Sequence, residues 1–166
     1  MGKRLALLML VVTTVGCDRV TKHFAAATLA DAPRRSFLAD TIRLEYIENS
    51  GAFLGLGAGW PAEVRTGLFT VGTALLLIAM IATAIRGRWS GAALVGLLLF
   101  VSGGASNLID RVARGSVIDF MNIGAGSVRT GIFNVADVAV MAGACLLLFA
   151  HLRAARKSTG PEDAAP

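Results

Sequence analysis

The sequence predicts an all-α membrane protein, with four transmembrane helices and a small extramembrane β-sheet or hairpin on the outer face. Three observations predict it. The 166-residue chain is 55% hydrophobic and only 16% charged, with a mean hydropathy of +0.66. Soluble domains run about 45–50% apolar and about 25% charged. The apolar residues are gathered into runs of membrane length, and one polar stretch between them alternates with the period of a half-buried strand. This excludes a disordered chain and argues against an ordinary soluble domain.

A bilayer core of about 30 Å needs about 20 helical residues. The first span is expected over about 5–27, apolar except for a polar break at Asp18, Arg19, Lys22 and His23. Asp18 and Lys22 are four apart, so they share a helix face and can neutralise each other. Residues 30–61 form an outer loop. In it Ile42, Leu44 and Tyr46 alternate with Arg43 and Glu45, which reads as a strand. Asn49-Ser50-Gly51 is a turn signal, after which residues 52–57 are expected to return as a second strand. Trp60 suits a headgroup position and Pro61 the first turn of the next helix. The second span is expected over 62–85, and the third over 90–109, ending in the small-residue run from Ser102 to Asn107. Small residues let helices approach closely in a membrane. A second outer loop, 111–131, carries a short apolar stretch around Asp119. The fourth span, 132–152, carries Asp137 about five residues in. Four buried helices of a soluble bundle would show polar outer stripes, and Leu75–Ile85 and Ala92–Val101 have none. Residues 1–153 thus form one integral membrane domain, followed by a polar tail, 154–166.

Net charge is +5. The basic residues sit mainly at segment ends and in loops, where they meet lipid headgroups, and no basic stripe with interleaved aromatics suggests nucleic acid. Val15-Gly16-Cys17 after an apolar run resembles a lipoprotein cleavage site, but Thr14 is a poor residue there and three further spans follow, so the first segment is expected to stay uncut. Lys and Arg divide evenly between the two sides. Lys3 and Arg4 before the first span, and Arg86 and Arg88 in the shortest loop, place both termini in the cytoplasm. Cys17 and Cys145 lie in apolar segments, and there is no CxxC, HExxH or Cys/His cluster of metal spacing. No metal or cofactor is expected.

This topology gathers the unusual polar residues at the outer membrane face: Asp18, Lys22, Asn49, Asn107, Asp110, Arg111, Asp119, Asn134 and Asp137. Ionisable groups inside a membrane are functional hypotheses. Asp119 and Asp137 lack a basic neighbour nearby in sequence. If they approach each other, one proton is shared and the pair supplies a base and an acid at one pH. His23 and His151 fall at opposite membrane faces, which disfavours a histidine triad. The bland readings are a helix-terminus acid for Asp137, a structural ion pair for Asp110 with Arg111, and loop-satisfying amides for the asparagines. Residues alone leave three classes open: a carboxylate-dyad enzyme, a proton-coupled carrier and a structural membrane subunit. The lack of an internal repeat weakens the carrier.

Five motifs occur in order: Asp18-Arg19-Val20-Thr21-Lys22, the run Asn49 to Gly55, the run Gly103 to Arg111, Val117-Ile118-Asp119-Phe120, and Phe133-Asn134-Val135-Ala136-Asp137. Together, across about residues 5–153, they closely resemble the lipoprotein signal peptidase family, the bacterial type II signal peptidases. The resemblance implies an intramembrane aspartyl endopeptidase that cuts signal peptides from diacylglyceryl-modified prolipoproteins just before the lipidated cysteine. It implies Asp119 and Asp137 as the catalytic pair. Asp18, Lys22, Asn49, Gly51, Asn107, Asp110, Arg111 and Asn134 are implied as substrate-binding or supporting residues. It also implies a place in the bacterial cytoplasmic membrane, a lipidated prolipoprotein and membrane lipid as partners, and action as a monomer. Arg19 stands where the family usually has Gln, and Ser106 where Gly is common.

Overall fold

A computed structural model describes residues 2–52, 56–87 and 89–158. Four long helices, α1 (Gly2–Leu29), α2 (Ala62–Arg86), α3 (Gly91–Arg114) and α4 (Val135–Ser158), carry a four-stranded antiparallel sheet. Its strands are β1 (Arg35–Phe37), β2 (Ile42–Asn49), β3 (Val117–Ala125) and β4 (Val128–Arg129), in the order β1-β2-β3-β4. α2, α3 and α4 are each long and apolar enough to cross a membrane. Leu75, Ile78 and Ile85 on α2 and Leu148 and Phe149 on α4 are exposed, the surface that hydrocarbon would cover. α1 is as long, but it carries the polar break near its middle, and Asp18 and Lys22 there are buried against the other helices.

α3 packs along α4 through small residues, as the sequence implied. A Cβ on Gly103 would fall 2.5 Å from the carbonyl oxygen of Ala136, and one on Gly143 would fall 2.6 Å from that of Gly96. The helix backbones therefore touch where a side chain would hold them apart.

Several boundaries differ from the sequence expectation. α3 continues through Asp110 and Arg111 to Arg114, beyond the expected span of 90–109 and into the expected loop. Gly115 ends it in the left-handed conformation at φ 75°, and its N–H reaches the Arg111 carbonyl at 2.9 Å. α4 begins at Val135, not 132, because Asn134 caps it. The Asn134 Oδ1 accepts from the Asp137 N–H at 2.9 Å, and the Asp137 Oδ2 accepts from the Asn134 N–H at 3.1 Å. This reciprocal pair is a capping box.

The return strand expected over 52–57 is not present at 52, 56 or 57, and residues 53–55 lie outside those described. β2 instead pairs with β1 and β3. The register slips between Leu44 and Ile47, so three residues of β2 span two of β3, from Met121 to Asp119. A one-residue bulge turns every later side chain to the opposite face. It puts Asn49 on the Asp119 side of the sheet and leaves Glu48 on the other, bonded to Ser116 and Tyr46.

Candidate active site

The inner ends of the sheet and the facing ends of α1, α3 and α4 enclose two linked polar groups. The first is ionic. Lys22 is 2% exposed; its ammonium donates to Asn107 Oδ1 at 2.7 Å and forms ion pairs with Asp18 and Asp110, each at 2.8 Å from Oδ2. Asp18 also accepts from the Ser106 hydroxyl at 2.6 Å and from the Ala136 N–H at 2.8 Å, in the first turn of α4. A carboxylate there meets the positive end of the helix dipole. Asp110 takes its second cation from Arg19. The expected Asp110–Arg111 ion pair is not formed: successive helix residues point about 100° apart, so Arg111 faces away. Two carboxylates and two cations neutralise one another and pin α1 to α3 and α4.

The second group is amidic. Asp119 on β3 is buried, and Asp137 in the first turn of α4 is half-buried. Neither makes an ion pair among the described residues. Each of their four oxygens accepts one N–H. Asn134 Nδ2 donates to Asp119 Oδ1 at 2.6 Å, and Asn49 Nδ2 donates to Asp119 Oδ2 at 2.8 Å. Asn107 Nδ2 donates to Asp137 Oδ1 at 2.9 Å, and the Asn134 backbone N–H serves Asp137 Oδ2. Asn134 thus bonds to both acids and couples their positions. Burial pushes Asp119 up to about 6 from its ordinary 3.8, and the neighbouring Asp137 charge adds to this, while the Asn49 and Asn134 hydrogen bonds oppose it. A carboxyl held there can exchange its proton near neutral pH.

Gly51 and Arg111 complete the rim. The Gly51 N–H bonds Asn49 Oδ1 at 2.9 Å, and Arg111 Nη2 donates to the Gly51 carbonyl at 2.9 Å, fastening the loop after β2. A cavity of about 200 Å³ opens beside Asp119, lined by Ile47, Asn49, Ser50, Ala58 and Ile132. An apolar groove of about 490 Å³ runs from Asp137 along α4 past Val138, Met141 and Cys145. Among the described residues no three or more His, Cys, Asp or Glu side chains gather as a metal site.

All ten residues singled out in the sequence converge here. Sequence reasoning missed the roles of Ser106, the Ala136 amide and Arg19. Arg19 did stand out as a charge beside Asp18 where the family usually has Gln, but its partner on α3 was not legible from the sequence.

This backbone is similar to that of a solved bacterial membrane enzyme, which superposes with a TM-score of 0.81 at 26% identity, over 95% of this chain and 94% of that one. The fold therefore defines a membrane enzyme. The family model for signal peptidase (SPase) II matches residues 10–153, and the chain belongs to that family. Similar proteins include the lipoprotein signal peptidase of Chlorobium phaeobacteroides, 35% identical over 81% of this chain and 82% of that protein. That of Azoarcus sp. is 33% identical over 93% of this chain and 88% of that protein.

Proposed function

We propose that this chain, a signal peptidase II that removes signal peptides from prolipoproteins, hydrolyses the peptide bond just before the lipidated cysteine with Asp119 and Asp137 as its catalytic pair. The observation that carries the reading is the pair of carboxyls with no direct ion pair among the described residues, joined through Asn134 and placed between a polar cavity and an apolar groove. The pair holds one proton. The ionised carboxylate takes a proton from a water between the two acids, and the hydroxide adds to the scissile carbonyl carbon. The protonated carboxyl gives its proton to the carbonyl oxygen. Collapse of the tetrahedral intermediate returns that proton to the pair, and the leaving nitrogen takes the other. Asn49, Asn107 and Asn134 hold the oxygens at fixed angles, and Asp18, Lys22, Asp110 and Arg111 hold the asparagines and the loop.

The apolar groove along α4 receives the membrane-embedded part of the lipidated substrate, and the cavity at Ser50 and Ala58 receives the extended segment at the scissile bond. α1 serves as a fourth span: its 28 residues reach about 42 Å, and its buried charges face protein rather than lipid. Residues 1–153 form one domain, acting as a monomer in the bacterial cytoplasmic membrane, with 154–166 as a tail. Both termini lie in the cytoplasm, and the sheet and the acids lie at the outer face. The test is conversion of a diacylglyceryl-modified prolipoprotein by purified protein, read by product mass. Cleavage before the lipidated cysteine that disappears in both Asp119→Asn and Asp137→Asn is expected. Full cleavage by both variants ends the reading, and proton-linked transport without cleavage would mark a carrier instead.

A further inference from the structure

A second polar pocket, of about 150 Å³, shares Ser50 with the cavity beside Asp119 and is formed by the start of α2, the end of α3 and the loop after β2. Two guanidinium groups line it, those of Arg65 and Arg111, together with the hydroxyl residues Ser50, Thr66 and Thr70. Neither arginine makes an ion pair among the described residues. Arg65 Nη1 spends its donors on neutral groups, the Ser50 hydroxyl at 2.5 Å and the Ala58 carbonyl at 3.0 Å. Arg111 donates to the Gly51 carbonyl, while its Nε–H is buried with no acceptor.

A buried donor without an acceptor is costly, and two cations facing one small cavity repel. An anion there supplies the missing acceptor and offsets the repulsion, chiefly at Arg65, since Arg111 also has Asp110, Asp119 and Asp137 near it. Thr66 and Thr70 lie where α2 adopts a π-helical turn, Thr66–Val71. Such turns are rare and widen a helix locally, often at functional sites. Trp60, stacked on Phe69 at 5.9 Å beside the same turn, is of a residue type enriched at headgroup depth. A tetrahedral oxyanion has acceptors enough for two forked guanidiniums and several hydroxyls, which a single carboxylate does not.

We propose that this pocket binds a phosphate group, either the phosphodiester of an anionic membrane lipid or free phosphate, held by Arg65, Arg111, Thr66 and Thr70. The site rests on α2 spanning the membrane and is independent of which acids perform the cleavage. Its occupant sits against the loop that Arg65 and Arg111 fasten at Ser50, Gly51 and Ala58, so it adds a headgroup to the wall of the substrate cavity.

Delipidated full-length protein in neutral detergent tests this by native mass spectrometry. The probes are dihexanoyl phosphatidylglycerol, dihexanoylglycerol, which lacks the phosphate, and inorganic phosphate. Retention of the phosphatidylglycerol over the glycerol by about tenfold or more is expected, falling about tenfold in Arg65→Gln. Inorganic phosphate that binds with the same dependence on Arg65, with no lipid retained, supports the site and assigns its source as free phosphate. Equal retention of the two lipids with no phosphate bound, or equal retention by wild type and Arg65→Gln, overturns the proposal. If Arg65→Gln does not fold, the double variant Thr66→Val/Thr70→Val replaces it, and unchanged retention there is equally fatal. Prolipoprotein cleavage is measured separately, so failure of this site and failure of the catalytic assignment give different results.

Discussion

Four aspartates meet in one layer of this protein, and two pairs of them have opposite surroundings. Asp18 and Asp110 face Lys22 and Arg19. Asp119 and Asp137 face three asparagine amides and one backbone N–H. The residue type is the same and the difference lies in charge balance. A carboxylate beside an ammonium stays ionised and inert, and its removal leaves a bare cation. A carboxylate held by neutral donors keeps its geometry in either protonation state and can take part in proton transfer. The first pair is tied into ion pairs between helices, and the second is the pair proposed to carry the chemistry.

The strongest way to break this contrast is to swap chemistry for shape in the second pair. Asp119→Asn and Asp137→Asn should each lower prolipoprotein turnover by about 10²–10⁴ or more, while leaving thermal unfolding in detergent nearly unchanged. The first pair should respond the other way round. Lys22→Met leaves Asp18 and Asp110 buried without their shared cation and should cost about 3–5 kcal/mol of stability. A Lys22→Met protein that melts like wild type would erase the distinction.

A pH profile sharpens it. With Asp119 raised to about 6, kcat/KM of the free enzyme should fall as pH rises through that region and the pair loses its shared proton. Asn49→Ala removes a hydrogen bond that favours the carboxylate, so the alkaline limb should move to higher pH. Movement to lower pH would show that Asn49 does not serve the ionised form. Stability carries the same sign. The folded chain favours the protonated Asp119, so this contribution is complete below about 3.8 and lost as pH rises through about 6.

Smaller effects belong to the periphery. Arg19 is 38% exposed and is the second cation on Asp110, so Arg19→Gln should cost about 1 kcal/mol or less in melting experiments, with cleavage retained. Asp40 marks the floor of the series. It bonds Ser36 and Arg43 at the β1–β2 turn, which hold its carboxyl well below the usual range. Leu38, Ala39 and Asp40 all have positive φ there, yet the turn is remote from the acids. Asp40→Asn should leave cleavage unchanged.

The helices were legible where composition alone decides: residues 67–85 of α2 and most of α3 are charge-free and could only be apolar spans. The ends were harder, because Asn134 and Asp137 form a capping box that an apolar run conceals, and Gly115 rather than Asp110 stops α3. β3 escaped the alternation test for a physical reason. Val117, Ile118, Asp119 and Phe120 are all buried, so a strand covered on both faces shows no period of two. The bulge in β2 was invisible because it depends on β3. The site residues were found through motifs, but their pairing was not, since adjacency along the chain suggested Arg111 for Asp110 and the helix turned it away.

One hydrogen bond fixes a direction. An ammonium has only protons to give, so Lys22 dictates that the oxygen of Asn107 faces it and the amide N–H₂ faces Asp137. The asparagine cannot rotate by half a turn without setting donor against donor. Lys22 therefore acts on Asp137 at second hand, like a keyed connector that admits a plug one way round. Asn107→Asp would keep the bond to Lys22 but turn an acceptor toward Asp137, and that acid would then need a proton of its own to stay in place.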